Sequence, residues 1–439
     1  MKKVFLFIFG FFYCLYPPSL YGQEPAVNTI LSKDEFEFLE ELTEAVLEAS
    51  RIYPDQFIAT DFGKNNTGGV LIRPGGRDAY PSFWIRDYAM ALETDMVSLA
   101  EQKHMLMLTA KTQAGNTWIT KGGSMVPLGA VADHIRIDDG LPIYFPGTYS
   151  FVDQGTERWG TLPPYGDQFL FVHMAHAYVK NGGGVAILSN EINGFTLMDK
   201  LTLSFHVPPS APEDHLVYAS EKFRGVDFGF RDAITMTGKL LYPSLLKFRA
   251  ATELAELYAL IGNAKESFKY QQIASNIKEA IPIVFDDDSG FLKASTQLSS
   301  QPDVWGTSLA IYLEILEGKD LIHASKVLTN AYTNGTISYR GNIRHVPTDH
   351  DFDETHVWEK SLAAKNTYQN GAYWGTPTGW VALAIHLTSP KLARQLATEY
   401  LLELKENDFR KGASFGAPYE CFDKREGTQN PVYLTSVAC

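Results

Sequence analysis

Apolar residues recur at helical spacing along most of this chain. The clearest predicted helix opens at Pro243 and ends at Gly262, two residues typical of helix starts and ends. Its apolar residues share one face: Leu246, Ala250, Leu254, Leu257 and Ile261. A partner helix is predicted over 264–281, where isoleucines recur at the same spacing. The two segments together predict a helical hairpin.

The same spacing predicts about ten to twelve helices, joined mostly as hairpins and accompanied by few strands. In the first, over 32–51, Ser32 and Glu35 form a capping box. The others are predicted over 86–102, 105–120, 168–180, 190–203, 304–316, 321–332, 376–387 and 389–404. No short repeat of fixed period is visible, which disfavours a solenoid. The remaining large all-helical architecture is a closed ring of helical hairpins, with functional residues on the loops at one mouth.

The start of the chain has the pattern of a secretory signal peptide. Lys2 and Lys3 precede an apolar run over 4–15, which is too short to span a bilayer comfortably. Cleavage is predicted after Gly22. We therefore expect residues 1–22 to be removed and 23–439 to form one domain. The protein is then expected in the periplasm or outside the cell, without an integral membrane segment.

Charge and cysteine content narrow the range of partners. The formal net charge of −13 disfavours nucleic acids and anionic membranes. Beyond the leader only Cys421 and Cys439 remain, too few for a disulfide framework or a cysteine metal cluster. Asp133 and His134 lack the spacing of helical metal ligands and are expected to form hydrogen bonds. The sequence thus predicts no cofactor and no metal, and it leaves the oligomeric state open.

Two acidic motifs lie far apart in the sequence. Asp227 lies in Gly-Val-Asp-Phe-Gly-Phe-Arg at 225–231, and Glu420 lies in Pro-Tyr-Glu-Cys-Phe-Asp at 418–423. Two carboxylates in an aromatic-lined pocket supply the acid, the base and the flat rings that glycoside hydrolysis needs. The alternative for each motif alone is structural: a buried Asp227 and a surface Glu420.

Three further segments combine aromatic rings with polar groups. Trp84, Arg86 and Asp87 precede or open a predicted helix. Asp87 either stabilises the first turn of that helix or binds two hydroxyls of a terminal sugar. Asp303 and Trp305 repeat the arrangement at another helix start. The segment 366–380 is dense in amides, rings and glycines, a composition typical of a binding loop.

From about Phe83 to the C-terminus the chain resembles the six-hairpin, (α/α)6-barrel glycoside hydrolases, which include trehalases, processing α-glucosidases and glucoamylases. Trehalases carry Gly-Trp-Asp-Phe-Ser-Ser-Arg around the catalytic acid, similar to 225–231, where Val226 replaces the Trp. Processing α-glucosidases carry Tyr-Glu-x-Tyr-Asn and then Trp-Thr-Ala around the catalytic base. These are similar to 419–423, where Phe422 replaces a Tyr, and to 433–438. Glucoamylases carry a Trp-x-Arg-Asp segment, similar to 84–87.

The resemblance implies an all-α (α/α)6 toroid with long loops and minor β elements. It implies inverting, exo-acting hydrolysis of an oligosaccharide with an α-linked hexose, with Asp227 as acid and Glu420 as base. We expect the substrate to be bound by Trp84, Arg86, Asp87, Arg231, Asp303, Trp305, Gln369, Asn370, Tyr373 and Trp374.

Two other functions are compatible with a helical toroid. A polysaccharide lyase or sugar epimerase would abstract a carbon-bound proton, commonly with His or Tyr as the base. A non-catalytic glycan-binding protein would bind without turnover. A product with unsaturation would indicate the lyase, and tight binding without product would indicate the binding protein.

Overall fold

The computed structural model describes residues 29–58, 62–77, 80–222, 224–423 and 427–439. The predicted signal peptide over 1–22 and its cleavage site lie outside these residues. Within the described ranges, no helix has both the length and the apolar character that crossing a bilayer requires.

Twelve α-helices are found in the described part of the chain. They are α1 Lys33–Ser50, α2 Ile85–Ala91, α3 Leu99–Thr112, α4 Tyr165–Tyr178, α5 Leu197–Phe205, α6 Leu241–Leu260, α7 Ala264–Val284, α8 Val304–Tyr312, α9 Gly318–Thr333, α10 Thr378–His386, α11 Pro390–Glu406 and α12 Thr435–Ala438. The capping box predicted for α1 is confirmed, because Ser32 and Glu35 each accept a hydrogen bond from the other's backbone amide.

The even-numbered helices form the inner wall of a closed ring, and the odd-numbered helices pack outside them. The residues explain this division. Every residue of α4 except His176 is buried, as a helix enclosed on all sides requires. Outer α9 instead buries one stripe that includes Ala324, Leu328 and Ala331. The predicted (α/α)6 ring of helices is therefore confirmed.

The last inner helix, α12, has only four residues. It packs against α2, which closes the ring, and against α1 on the outside. The hydroxyls of Thr376 and Thr435 lie 3.0 Å apart and join the approach to α10 with the start of α12. The first helix of the sequence thus covers the last one.

Four predicted helix spans were wrong. The helix predicted over 105–120 ends at Thr112, and the helix predicted over 304–316 ends at Tyr312. The single helix predicted over 86–102 is divided, because α2 ends at Ala91 and Asp95 adopts a left-handed backbone with φ of 56°. A new helix, α3, begins after Ser98, which forms a capping box with Glu101. Apolar residues continue through the break, so hydrophobic spacing alone does not reveal it. The helix predicted over 190–203 begins later, at Leu197.

Short strands directly precede the inner helices α2, α6, α10 and α12. A five-stranded antiparallel sheet has the order Ser338–Tyr339, Asn342–Arg344, Tyr373–Trp374, Tyr419–Asp423 and Gly427–Pro431. A three-stranded sheet is formed by Ser82–Trp84, His134–Arg136 and Pro142–Ile143. The remaining antiparallel pairs are Arg51–Ile52 with Leu71–Ile72, Trp118–Ile119 with Met125–Val126, Glu191–Ile192 with Phe195–Thr196, Tyr218–Ala219 with Gly238–Lys239, and Ile234–Thr235 with Lys360–Ser361. Strands this short carry too few residues for a period-two pattern.

Candidate active site

A pocket with a volume of about 170 Å³ lies at the mouth of the ring where α2 and α12 begin. Aromatic rings and carboxylates form most of its wall. Among the described residues its lining is Tyr80, Trp84, Arg86, Asp87, Asp133, His134, Pro146, Gly147, Thr148, Tyr149, Phe230, Asp232, Tyr368, Glu420 and Tyr433. A cavity of about 150 Å³ holds one six-membered ring, so this pocket has the size of a single sugar residue.

The strand Ser82–Trp84 runs directly into α2 and places three predicted binding residues at the pocket. Trp84 stacks on the ring of His134, with centroids 4.5 Å apart. Arg86 and Asp87 lie in the first turn of α2, where the helix dipole favours a carboxylate. Asp87 thus belongs to the start of the helix and also faces the pocket.

Arg86 is held by carboxylates from two other segments. Its Nη1 lies 2.6 Å from Asp133 and 3.4 Å from Asp167, which is in the first turn of α4. Nδ1 of His134 lies 2.7 Å from a carboxylate oxygen of Asp133. This network fixes the guanidinium and the imidazole without using the Nε2 atom of His134, which has no partner among the described residues.

Asp87 is oriented from the C-terminal segment. The hydroxyl of Tyr433 donates a 2.7 Å hydrogen bond to its Oδ1. Burial raises the pKa of Asp87 to about 6, although Arg86 and Tyr433 act in the opposite direction. A carboxyl group in this position can accept hydrogen bonds from sugar hydroxyls when ionised.

The turn Gly229–Arg231 sends neighbouring side chains in different directions. It is a 3₁₀ turn, in which successive side chains point about 120° apart. Arg231 therefore points into the interior, where it is fully buried, and Asp232 reaches the active-site pocket. Gln369 hydrogen-bonds Asp232 and also accepts a 2.7 Å bond from the amide of Ala233. The carboxyl group of Asp232 is thus held in position at the wall.

Asp227, the acid expected from the sequence, is not among the residues that line the pocket. It is 3% exposed and lies 3.3 Å from Nη1 of Arg231. Nη2 of the same arginine binds Asp303 at 2.6 Å. The guanidinium also stands 4.7 Å from the ring centroid of Trp358. The predicted binding residues Arg231 and Asp303 are therefore engaged with Asp227 in a buried ion-pair cluster beside the pocket.

Glu420 lies on the strand Tyr419–Asp423 and does line the pocket. Its Oε2 accepts a 2.7 Å hydrogen bond from the hydroxyl of Tyr80 and a second bond from the amide of Asn430. Asn430 also donates to Tyr80 at 3.0 Å. The side chain is 1% exposed, so two donors on one oxygen hold it in a fixed direction.

Burial and like charges also raise the pKa values of two further carboxyl groups among the four that line the pocket. Burial raises the pKa of Glu420 to about 7, and the charges of Asp87 and Asp232 add to this effect. Burial also raises the pKa of Asp232 to about 6, opposed by Arg86 and Gln369. Both groups therefore titrate near neutral pH, the range in which a carboxyl group can act as acid or base.

Four other residues predicted to bind substrate lie outside the pocket lining. Trp305 and Trp374 contact Phe230, with ring centroids 6.1 and 5.7 Å apart, and Phe230 itself faces the pocket. Asn370 accepts a 2.8 Å bond from the amide of Val357, which shapes the loop. Tyr373 pairs with Arg344 in the five-stranded sheet. These four side chains lie behind the residues that line the pocket and support them.

Sequence reasoning missed Asp232 and most of the aromatic wall. For Asp232 a usable signal exists: it stands only five positions after Asp227, and its Phe-Arg-Asp context is similar to the Trp-Ile-Arg-Asp segment at 84–87. The hydrogen bonding predicted for Asp133 and His134 is confirmed, but their place in the pocket lining was not predicted. Tyr80 and Tyr149 come from loops that carry no signal in the sequence.

Away from the pocket, His173, His176 and Glu253 place ligand atoms within 4.8 Å of one another. Arg249 donates to both His173 at 3.0 Å and Glu253 at 3.1 Å. A guanidinium inside the cluster supplies the positive charge that a metal would bring.

Several solved structures share this fold. A glucoamylase from Saccharomycopsis fibuligera matches with a TM-score of 0.55 and 12% identity over 92% of this chain and 94% of its own. A mannosylglycerate hydrolase from Thermus thermophilus in complex with glucose matches with a TM-score of 0.55 and 12% identity over 91% and 98%. A rhamnosidase from Klebsiella oxytoca with rhamnose bound matches with a TM-score of 0.53 and 11% identity over 93% and 63%.

These similarities show the fold that the chain has in common with six-hairpin glycosidases. Neither a protein-family model nor a curated protein sequence matches the chain.

Proposed function

We propose that this protein is an exported glycoside hydrolase that removes a terminal sugar, an α-linked hexose, from an oligosaccharide with inversion. The observation that carries the proposal is the pairing of Asp232 and Glu420. Two carboxyls whose pKa values are raised by burial to about 6 and about 7 line one aromatic pocket of single-sugar size. Export rests on the signal-peptide pattern of residues 1–22.

The size of the pocket supports exo-action. With a volume of about 170 Å³ it has room for one sugar ring, and an endo-acting enzyme needs an open cleft along a chain. Trp84 and Tyr149 stand edge to face with centroids 5.9 Å apart and offer flat surfaces to that ring. Arg86 and Asp87 face the same space and supply a donor and an acceptor for its hydroxyls.

We assign the general acid to Asp232 in place of Asp227. Asp232 faces the pocket, and Asp227 is tied to Arg231. In its protonated form Asp232 transfers a proton to the glycosidic oxygen as the bond to the anomeric carbon breaks. Gln369 keeps the carboxyl group directed at that oxygen. Proton transfer of this kind contributes roughly 10²–10⁴-fold to rate.

Glu420 is assigned as the base. When ionised, its Oε2 accepts from Tyr80 and Asn430, which leaves the other oxygen to take a proton from water. The water oxygen then bonds to the anomeric carbon on the face opposite the leaving group. The product carries the inverted configuration, and the two carboxyls return to their starting states after proton exchange with solvent.

The sugars found in the structural neighbours agree with a carbohydrate substrate. One neighbour is described in complex with glucose and another with rhamnose bound. At 11–12% identity these matches do not select among sugars, so the identity of the hexose rests on experiment.

A screen of α- and β-linked disaccharides, read by mass spectrometry, tests the proposal. The wild type is expected to release one terminal sugar from at least one α-linked member, with a gain of one water. The Glu420→Gln variant, which keeps the shape of the side chain, is the matched control and is expected to release roughly 10²–10⁴-fold less. Equal release by both proteins would contradict the assignment of the site, and an unsaturated product would indicate a lyase.

A further inference from the structure

His134 lines the active-site pocket with one ring nitrogen engaged and the other without a partner. Its side chain is 2% exposed, and Nδ1 lies 2.7 Å from Asp133. Nε2 has no hydrogen-bond partner among the described residues. A buried polar atom is normally hydrogen-bonded, because leaving it unpaired costs free energy. Neither the acid nor the base of the proposed reaction uses this ring, so the imidazole is available for another role in the pocket.

Asp133 determines which ring nitrogen carries the proton. Nη1 of Arg86 donates a 2.6 Å hydrogen bond to Oδ1 of Asp133, and His134 is bound to the other oxygen. Burial acts against ionisation of Asp133, but the charge of Arg86 and the hydrogen bond with His134 hold its pKa below the ordinary value. An ionised carboxylate can only accept, so Nδ1 carries a proton and donates it. In the neutral ring Nε2 is then a hydrogen-bond acceptor.

Two aromatic side chains fix the plane of the imidazole. Trp84 stacks on it with ring centroids 4.5 Å apart and an angle of 21° between the planes. Tyr149 meets it at an angle of 68°, with centroids 5.3 Å apart. Both side chains also line the pocket. A ring held in this way loses little conformational freedom when a ligand binds, which favours a selective hydrogen bond.

We propose that His134 determines which sugar the pocket accepts, because its Nε2 accepts a hydrogen bond from one hydroxyl of the terminal sugar. This inference rests on the proposed hydrolase function. A sugar that lacks this hydroxyl, or carries it in the opposite orientation, leaves Nε2 unpaired in a closed pocket. A site that hydrogen-bonds a substrate hydroxyl rejects the analogue without it, whereas an apolar pocket discriminates only weakly.

Two substitutions separate the two ring nitrogens. His134→Asn places an amide nitrogen near the position of Nδ1, where it can still donate to Asp133, and has no atom near the position of Nε2. His134→Gln extends its amide group to the position of Nε2. His350→Asn is the matched control. Nδ1 of His350 also lies close to the preceding aspartate, 2.9 Å from Asp349, but His350 is exposed and outside the described lining of the pocket.

The test uses the disaccharide that the screen identifies and derivatives of it that each lack one hydroxyl of the terminal sugar. In the wild type, loss of the hydroxyl that binds His134 is expected to lower kcat/KM by roughly 10–100-fold. His134→Asn is expected to lose most of this discrimination at that hydroxyl and to keep the wild-type ratios at the others. His134→Gln is expected to retain part of it, and His350→Asn all of it.

Two results would overturn this inference and leave the hydrolase proposal intact. One is discrimination in His134→Asn that equals the wild type at every hydroxyl. The other is a loss of kcat/KM in His134→Asn by the same factor for the parent disaccharide and all derivatives, which is the effect expected of a purely structural residue.

If no disaccharide is cleaved, the hydrolase proposal is contradicted and binding decides the role of His134 on its own. Calorimetry then compares the wild type and His134→Asn with glucose, mannose, galactose and the derivatives of each that lack one hydroxyl. A derivative that only the wild type binds more weakly than the parent sugar would support the inference. Identical discrimination in both proteins, or no binding of any sugar to the wild type, would overturn it.

Discussion

Asp232 and Glu420 line one pocket, and burial together with the charges of Asp87 and Asp232 raises the pKa of Glu420 to about 7 against the lowering effect of its hydrogen bonds from Asn430 and Tyr80. Their segments come from distant parts of the sequence and meet at the mouth of the helical ring. Because each carboxyl group is most easily ionised when the other is neutral, the pair favours a state with one proton. Hydrolysis requires the one-proton form in which Asp232 is protonated and Glu420 is ionised, and this is the less populated of the two one-proton forms because Glu420 has the higher pKa.

The first prediction concerns the pH dependence of activity. We expect kcat/KM of the wild type to follow a bell with limbs near about pH 6 and about pH 7. The reactive form, with Asp232 protonated and Glu420 ionised, is the minor one-proton form of the pair because Glu420 has the higher pKa, and its population falls on both sides of this range. Initial rates below KM from pH 4 to 9 measure the profile. If kcat/KM continued to rise above pH 8, that result would contradict the role of a protonated acid.

The second prediction concerns stability. The pKa of Glu420 is raised in the folded state, so its stabilising contribution is present below the ordinary carboxyl range and is lost as the pH rises through about 7. Glu420→Gln removes this loss. The free energy of unfolding of the variant relative to wild type is expected to increase by roughly 1–3 kcal/mol between pH 5 and pH 8.

Urea unfolding at the two pH values measures this difference. Glu354→Gln, at an exposed carboxylate, is the control and is expected to show no such trend. If the difference in unfolding free energy between Glu420→Gln and the wild type does not change with pH, the pKa of Glu420 is not raised in the folded state.

The third prediction concerns the donors that hold the base. Tyr80→Phe removes the 2.7 Å hydrogen bond that Tyr80 donates to Glu420. Since that bond lowers the pKa of the carboxyl group, its removal is expected to raise the pKa. Because Glu420 has the higher pKa of the pair, the alkaline limb of kcat/KM is expected to move to higher pH by roughly 0.5–1 unit and the maximum of kcat/KM to fall. Tyr178→Phe, at a buried tyrosine on α4 outside the pocket, is the control. If this limb does not move in Tyr80→Phe, Tyr80 does not influence the protonation of the base.

The fourth prediction concerns stereochemistry. If Glu420 activates water, the first product has the anomeric configuration opposite to that of the substrate. Proton NMR during the first minutes of hydrolysis, before mutarotation equilibrates the anomers, distinguishes the outcomes. A first product with the same configuration would make one carboxyl group a nucleophile, even if both residues proved essential.

Much of the helical ring was predictable because long helices repeat their apolar residues many times. The hairpin of α6 and α7 and the capping box at Ser32 follow from local rules that tertiary contacts do not overrule. The break between α2 and α3 was not predictable from spacing, because it depends on the left-handed Asp95 and on the cap at Ser98.

The site was predictable in part for a related reason. Motifs at helix starts placed Trp84, Arg86 and Asp87 at the pocket, and the motif at 418–423 placed Glu420 there. For Asp232 the sequence offers only the similarity of 230–232 to the segment at 84–87, because the choice between Asp227 and Asp232 depends on the direction in which a 3₁₀ turn sends each side chain. Wall residues from loops, such as Tyr149, become neighbours only in the folded chain.

The central claim is that Asp232, and not Asp227, is the acid of a glycosidase pair. Its most direct test is to measure kcat on the disaccharide that the screen identifies, in two matched variants, Asp232→Asn and Asp227→Asn. Asp232→Asn is expected to lose roughly 10²–10⁴-fold in kcat and to keep a native Tm, because only proton transfer is removed.

Asp227→Asn is expected to lower Tm, because Arg231 then loses one of its buried partners, and to keep kcat within about tenfold. The contrary result is a near-native kcat in Asp232→Asn together with a collapse of kcat in a folded Asp227→Asn. That outcome would contradict the assignment and return the acid to Asp227.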